Sequence, residues 1–178
     1  MTEVVKPELM EQISQEYIDE NLRFRHFLKR NADPKRLDEQ FKRLHLQLFN
    51  GYDCCHCANC CRDFDVSFCE DDIVNAAGYI EMSCEEFVET FLTEDDEGLI
   101  IKGPCSFLEP DGRCRIQSVK PIECKSFPHT DMPERIYSLY SVMDYAQRCP
   151  IVFEIVQRLK TMYHYSDNPK DTVPGWME

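Results

Sequence analysis

The stretch Cys54-Cys55-His56-Cys57-Ala58-Asn59-Cys60-Cys61, followed by Arg62, holds five thiols and an imidazole in eight positions. Two-residue gaps separate Cys54 from Cys57 and Cys57 from Cys60. A tight turn can therefore aim successive sulfurs at one point, which suits Zn–S bonds of ~2.3 Å or an iron–sulfur cluster. One metal cannot use all of these donors. Four ligands saturate a structural zinc and a [4Fe–4S] cluster takes four thiolates, so the surplus thiols serve a second centre, react, or stand by.

The rest of the chain narrows the options. Its 178 residues include 11 cysteines, an odd number. A chain of this size buries roughly 68–70% of its unfolded surface and needs no covalent staples merely to fold. The start, MTEVVKPELMEQISQEY, has neither a basic n-region nor an apolar h-region, and no apolar run approaches the ~18 residues of a membrane span. The expected location is the cytoplasm, where disulfides are disfavoured and clustered cysteines point to metal sites or catalytic thiols.

Downstream, each remaining candidate ligand lies in a segment with turn chemistry: Gly103-Pro-Cys105, Asp111-Gly-Arg-Cys114, Lys120-Pro-Ile-Glu-Cys124 and Arg148-Cys149-Pro150. Basic residues stand beside these thiols. Arg62 follows Cys61, Arg113 and Arg115 flank Cys114, Lys125 follows Cys124 and Arg148 precedes Cys149. Adjacent cations favour the thiolate, the form that binds metal.

Flanking elements follow from periodicity and caps. An apolar stripe from Leu9 to Leu28 predicts a long amphipathic helix over 8–30. Asp33 and Pro34 start a second helix through Leu37, Phe41, Leu44 and Leu48, making a helical hairpin. Residues 65–68 read as a short strand, and Glu70 or Asp71 caps a helix running to Gly78. Ser83-Cys-Glu-Glu86 is a capping box opening another helix. Residues 99–101 and 106–108 look strand-like, with a hairpin turn at Asp111-Gly112. Residues 120–129 read as loop or a single turn, 135–144 are ambiguous, and Pro150 opens a final helix. The expected fold is α+β: a small, mostly helical single domain whose short strands and loops converge on a cysteine-bound metal centre. Its parts are an N-terminal hairpin (1–50) packed on the core, a cysteine-cluster domain (51–165) and a loose tail (166–178).

Charge is concentrated. Thirteen of the 33 carboxylates lie between Asp63 and Ile101, a segment without Lys or Arg, so the other 20 match the 20 bases and the whole −13 resides there. That sign argues against nucleic-acid or anionic-membrane binding and suits a basic protein partner, or simply a solvated face.

Four motifs occur in order: CHCANCCR, CSFLEPDGRCRI, KPIECKSFP and a late CP. This set resembles the bacterial and archaeal CxxCxxCC cysteine-cluster family, the YkgJ-like proteins, which carry the labels zinc- or iron-chelating domain and Fe–S-cluster oxidoreductase. The resemblance spans roughly Cys54 to Pro150. It implies that Cys54, Cys57, Cys60, Cys61, Cys105, Cys114, Cys124 and Cys149 are metal ligands, holding zinc or an iron–sulfur cluster in one or two centres. The chain departs from the family pattern at Asn59 (usually Gly), Lys120 (usually Arg) and Gln117 (usually Tyr), none of which removes a thiol. Asn59 is the expected site of the left-handed turn residue. A flagellin lysine methylase with a similar signature shows that the module can accompany other chemistry.

Cys55, Cys69 and Cys84 fall outside the pattern and read as packing or bystander thiols. His56 and His129 read as neighbours of the cluster rather than ligands, and a Cys55–His129 nucleophile lacks an orienting group. No phosphate loop, GxSxG, HExxH or dinucleotide fingerprint occurs. Three readings result: a cytosolic metal-binding protein, a cluster-dependent oxidoreductase or other enzyme with a redox partner, and a zinc-stapled interaction module with an acidic docking face.

Overall fold

The computed structural model describes residues 4–96 and 98–167. Its helices are α1 (Met10–Asn31), α2 (Pro34–Phe49), α3 (Cys54–Cys57), α4 (Asn59–Asp63), α5 (Glu70–Tyr79), α6 (Cys84–Phe91), α7 (Ile122–Ser126), α8 (Arg135–Tyr145) and α9 (Pro150–Met162). The strands are β1 (Val66–Ser67), β2 (Thr93–Asp95) and β3 (Gly98–Ile101). The class is α+β and mostly helical, as expected. The described residues gather in two compact units, one drawn from Met1–Tyr52 and Pro128–Glu178, the other Asp53–Phe127.

In the helical unit the Asp33 carboxylate accepts the Arg36 backbone N–H at 2.8 Å, and Pro34 occupies the first turn of α2. The apolar stripes of α1 and α2 each pack on α8 and α9. Phe24, Leu28, Leu37, Phe41, Leu139, Val142, Ile151, Ile155 and Leu159 are buried. Inside this core the Tyr163 hydroxyl donates to Gln40 Oε1 at 2.9 Å, satisfying two polar groups that would otherwise be costly there. The segment that is ambiguous in sequence, α8, buries Ile136, Leu139, Val142 and Met143 while exposing Tyr137 and Tyr140. Aliphatic side chains on the buried face and tyrosine rings on the exposed one blur its amphipathic period. Its cap is remote: the Asp38 carboxylate of α2 accepts the backbone N–H groups of Glu134 (2.7 Å) and Arg135 (2.8 Å).

The expected loose tail is anchored at its start, because Arg23 makes two hydrogen bonds to the Asp167 carboxylate at 2.6 and 2.7 Å. The remainder of that tail, 168–178, lies outside the described residues.

In the cysteine unit, antiparallel strands are ordered β1-β3-β2, with Val66 opposite Ile101 and Thr93 opposite Ile100. Phe68, Ile73, Ala76, Phe87, Ile101, Phe107 and Ile116 form the core beneath them. Phe87 stacks on Phe107 with 5.8 Å between centroids, and the Arg115 guanidinium lies 5.1 Å from the Phe107 ring centre.

One strand has no signal in the sequence and two local expectations change. Thr93-Glu94-Asp95, with two poor strand formers and all three residues exposed, is β2 through pairing with β3. Residues 106–108 contribute only one isolated bridge, Leu108 with Cys114, because neighbouring amides are spent on successive turns: Leu108 N–H to Cys105 O and Gly112 N–H to Glu109 O. The cap of α5 is Cys69, not Glu70 or Asp71; its backbone N–H and thiol both donate to Asp72 Oδ2, at 3.3 and 3.1 Å.

Candidate metal centre

The CxxCxxCC stretch folds as two single helical turns. Asp53 accepts the Cys55 N–H at 2.8 Å to start α3, and the Ala58 N–H closes that turn on the Cys54 carbonyl at 2.8 Å. Ala58 has φ of 53°, so the left-handed residue is Ala58 rather than Asn59. The reason is positional: Ala58 caps α3 while Asn59 already begins α4. Asn59 acts instead through its side chain, whose Oδ1 accepts from Arg62 Nη1 at 3.3 Å. The same Arg62 nitrogen donates to the Cys57 carbonyl at 2.8 Å and folds the stretch back on itself.

Two other cysteine-bearing turns press against these. The Cys105 N–H donates to the Cys61 carbonyl at 2.8 Å. A Cβ on Gly103 would lie 3.0 Å from the Arg62 carbonyl oxygen, and one on Gly112 would collide with the Cys55 carbonyl oxygen. Glycine is thus required where the Gly103-Pro-Cys105 and Asp111-Gly-Arg-Cys114 turns meet the cluster. The Lys120-Pro-Ile-Glu-Cys124 segment is tied in by carboxylates. Glu123 Oε2 accepts the Ser67 N–H at 2.6 Å and Asp72 Oδ1 accepts the Ile122 N–H at 3.2 Å, which fixes α7 and with it Cys124. Neither carboxylate is evident as a site residue in the sequence, because each acts across about fifty positions.

The thiols report their crowding. The Cys60 thiol hydrogen-bonds Cys61 and, helped by Lys120 and Arg62, brings the Cys61 thiol down to about 6. Burial raises Cys105 and Cys114; Cys61 and Cys114 raise Cys105 further, and Cys61 and Cys55 raise Cys114. Burial, then Cys61, Cys105 and Cys114, push Cys124 up to about 12, with Lys120 opposing. Cys54 is raised by burial and then by Cys57, again against Lys120. Cys61, Cys105, Cys114 and Cys124, from three motifs, therefore share one neighbourhood, in which Lys120 acts on Cys61, Cys114 and Cys124. Such a donor set fits a bound cation. Buried thiols that raise one another lack positive charge, and a soft divalent metal supplies it. Among the described residues no three Cys, His, Asp or Glu side chains stand at ion-ligating distances. The thiols are gathered without closing on a common point.

The other candidates are placed as follows. Cys149 lies in the helical unit, buried, as the N-cap of α9, its N–H bonded to the Tyr145 carbonyl at 2.8 Å. His56 is exposed and pairs with Asp53 at 3.0 Å. His129 belongs to the helical unit, where its carbonyl accepts from Arg135 Nη1 at 2.7 Å. Cys84 sits in the first turn of α6.

The family model CxxCxxCC, described as "Putative zinc- or iron-chelating domain", matches residues 53–151. The chain belongs to this family. The match begins at the Asp53 cap of α3 and runs one residue into α9 past Pro150, so all eight candidate cysteines fall inside it. No curated protein and no solved structure matches the chain. No helix among the described residues is long and apolar enough to cross a membrane.

Proposed function

We propose that this member of the CxxCxxCC family is a cytoplasmic metal-binding protein whose motif cysteines hold zinc or an iron–sulfur centre. The observation that carries the reading is the shared neighbourhood of Cys61, Cys105, Cys114 and Cys124. These four would hold one centre. Cys54, Cys57 and Cys60, in the same unit, would serve a second, or attend the first.

Residues of the chain prepare this set. Arg62 and Asn59 hold the two helical turns in register, Asp72 and Glu123 hold α7, and Lys120 offsets the negative charge of thiolates. Zinc would supply a closed structural cross-link, whereas an iron–sulfur cluster would supply the electron-accepting centre that an oxidoreductase needs.

The experiment is metal analysis, labile-sulfide assay and a visible spectrum on protein purified without oxygen. Colourless protein with zinc supports the structural form. Brown protein with iron and sulfide supports the redox form. Protein with neither metal at stoichiometric levels, and no uptake of either on reconstitution, overturns the reading.

A further inference from the structure

Away from the thiols, the cysteine unit carries an open groove of about 550 Å³ between α5 and α6. Its apolar lining is Ile73, Val74, Cys84 and Val88. Val74 is 59% exposed although its neighbour Ile73 is buried. Glu70, Glu85 and Glu89 also line the groove, and all three are exposed. No basic side chain pairs with them among the described residues, and the segment 63–101 contains none.

Glu70 and Glu85 lie in the first turns of α5 and α6, where the helix dipole favours an anion, but Glu89 lies in the last turn of α6, where the dipole disfavours it, and four residues from Glu85, where like charges repel. No basic side chain of the described residues pairs with them, so the border of the groove stays negative and is complementary to a cationic occupant. An aliphatic strip bordered by carboxylates matches an amphipathic helix carrying aliphatic anchors and flanking Lys or Arg. A second copy of this chain would bring the same acidic border and be repelled. The groove is too open to enclose a small apolar ligand.

We propose that the α5–α6 groove docks a basic amphipathic helix of a protein partner. Aliphatic side chains of that helix enter beside Val74 and Val88, and its cations pair with Glu70, Glu85 and Glu89. This site is separate from the thiol cluster and independent of which metal is bound.

The test uses the full chain and a fluorescent helical peptide of about 18 residues, long enough to form a helix on binding, with leucines on one face and lysines on the other. The expected result is saturable anisotropy binding, weakened at least about tenfold by Glu85→Lys with Glu89→Lys and at least about fivefold by Val74→Ser. All three positions are exposed, so circular dichroism should show the variants folded. Unchanged affinity in either variant overturns the proposal, and loss with the charge reversal alone identifies mere polyanion attraction. Equal binding of a leucine–glutamate peptide also overturns it. So does a concentration-dependent dimer in sedimentation that the same substitutions dissociate, which would assign the groove to a second copy.

Discussion

The carboxylate of Asp72 accepts the backbone N–H of Ile122 at 3.2 Å, joining residues 50 positions apart. Its other oxygen caps α5 at Cys69. A single buried side chain thus closes the start of one helix and sets the start of α7, which carries Cys124. Asp72→Ala leaves these donors unpaired and is expected to cost about 1–3 kcal/mol. Asp72→Asn, which keeps one oxygen, should cost less. Urea denaturation of the three proteins checks the ranking, and equal stabilities would remove Asp72 from this role.

Ligand and bystander thiols should separate cleanly. Cys60→Ser or Cys124→Ser is expected to lower metal per chain and weaken folding, since ligation and folding are coupled. Cys84→Ser, in the α6 groove, should leave metal content unchanged. Elemental analysis of the purified variants decides it. Equal effects from all three would sink the assignment.

Gly112 stands with φ of 86° against the Cys55 carbonyl. Gly112→Ala introduces both a left-handed strain and a backbone clash, and is expected to cost at least about 2 kcal/mol. Gly78→Ala is the control, because a Cβ there meets nothing. A pair of melting curves suffices, and an unshifted Gly112→Ala would show that this turn yields easily.

His45 gives a pH dependence whose sign is fixed. Burial lowers its pKa below the ordinary value of 6.5, with Asp131 opposing, and its Nδ1 lies 2.8 Å from Thr130 Oγ1. The unfolded chain therefore takes up this proton at a higher pH than the folded one. The associated stability is complete above about pH 6.5 and declines as pH falls through that value, levelling off below the depressed folded pKa. Urea midpoints at about pH 8 and about pH 5.5 should differ less in His45→Gln than in the parent. An identical difference in both would exclude His45 as the source.

Within the helical core, Tyr163→Phe strands Gln40 Oε1 without its donor. The expected cost is about 1–3 kcal/mol, and a double change to Tyr163→Phe with Gln40→Leu should recover part of it. Thermal denaturation of the single and double variants measures the coupling.

What could be read from sequence shares one property, that its causes lie within a few residues. Asp33-Pro34 and Ser83 with Glu86 mark helix starts because a cap and its amide are three positions apart. The α1 and α2 stripes recur every three or four residues, and the thiol-rich stretch displays its donors in eight positions. Where a local signal had two solutions, the neighbour decided. Left-handed backbone at Ala58 rather than Asn59 follows from where α3 ends, and capping by Cys69 follows from the buried Asp72.

By itself, then, the sequence determined the starts of α2, α6 and α9, the thiol inventory, the acidic segment and the family-like order of motifs. Only the tertiary structure decided that Asp38 caps α8, that β2 exists by pairing with β3, and that Cys61, Cys105, Cys114 and Cys124 gather in one neighbourhood. The physical reason is range. A cap or an amphipathic stripe is satisfied within a turn or two of helix, whereas these contacts close loops of tens of residues, and no local period records which distant partner will meet them.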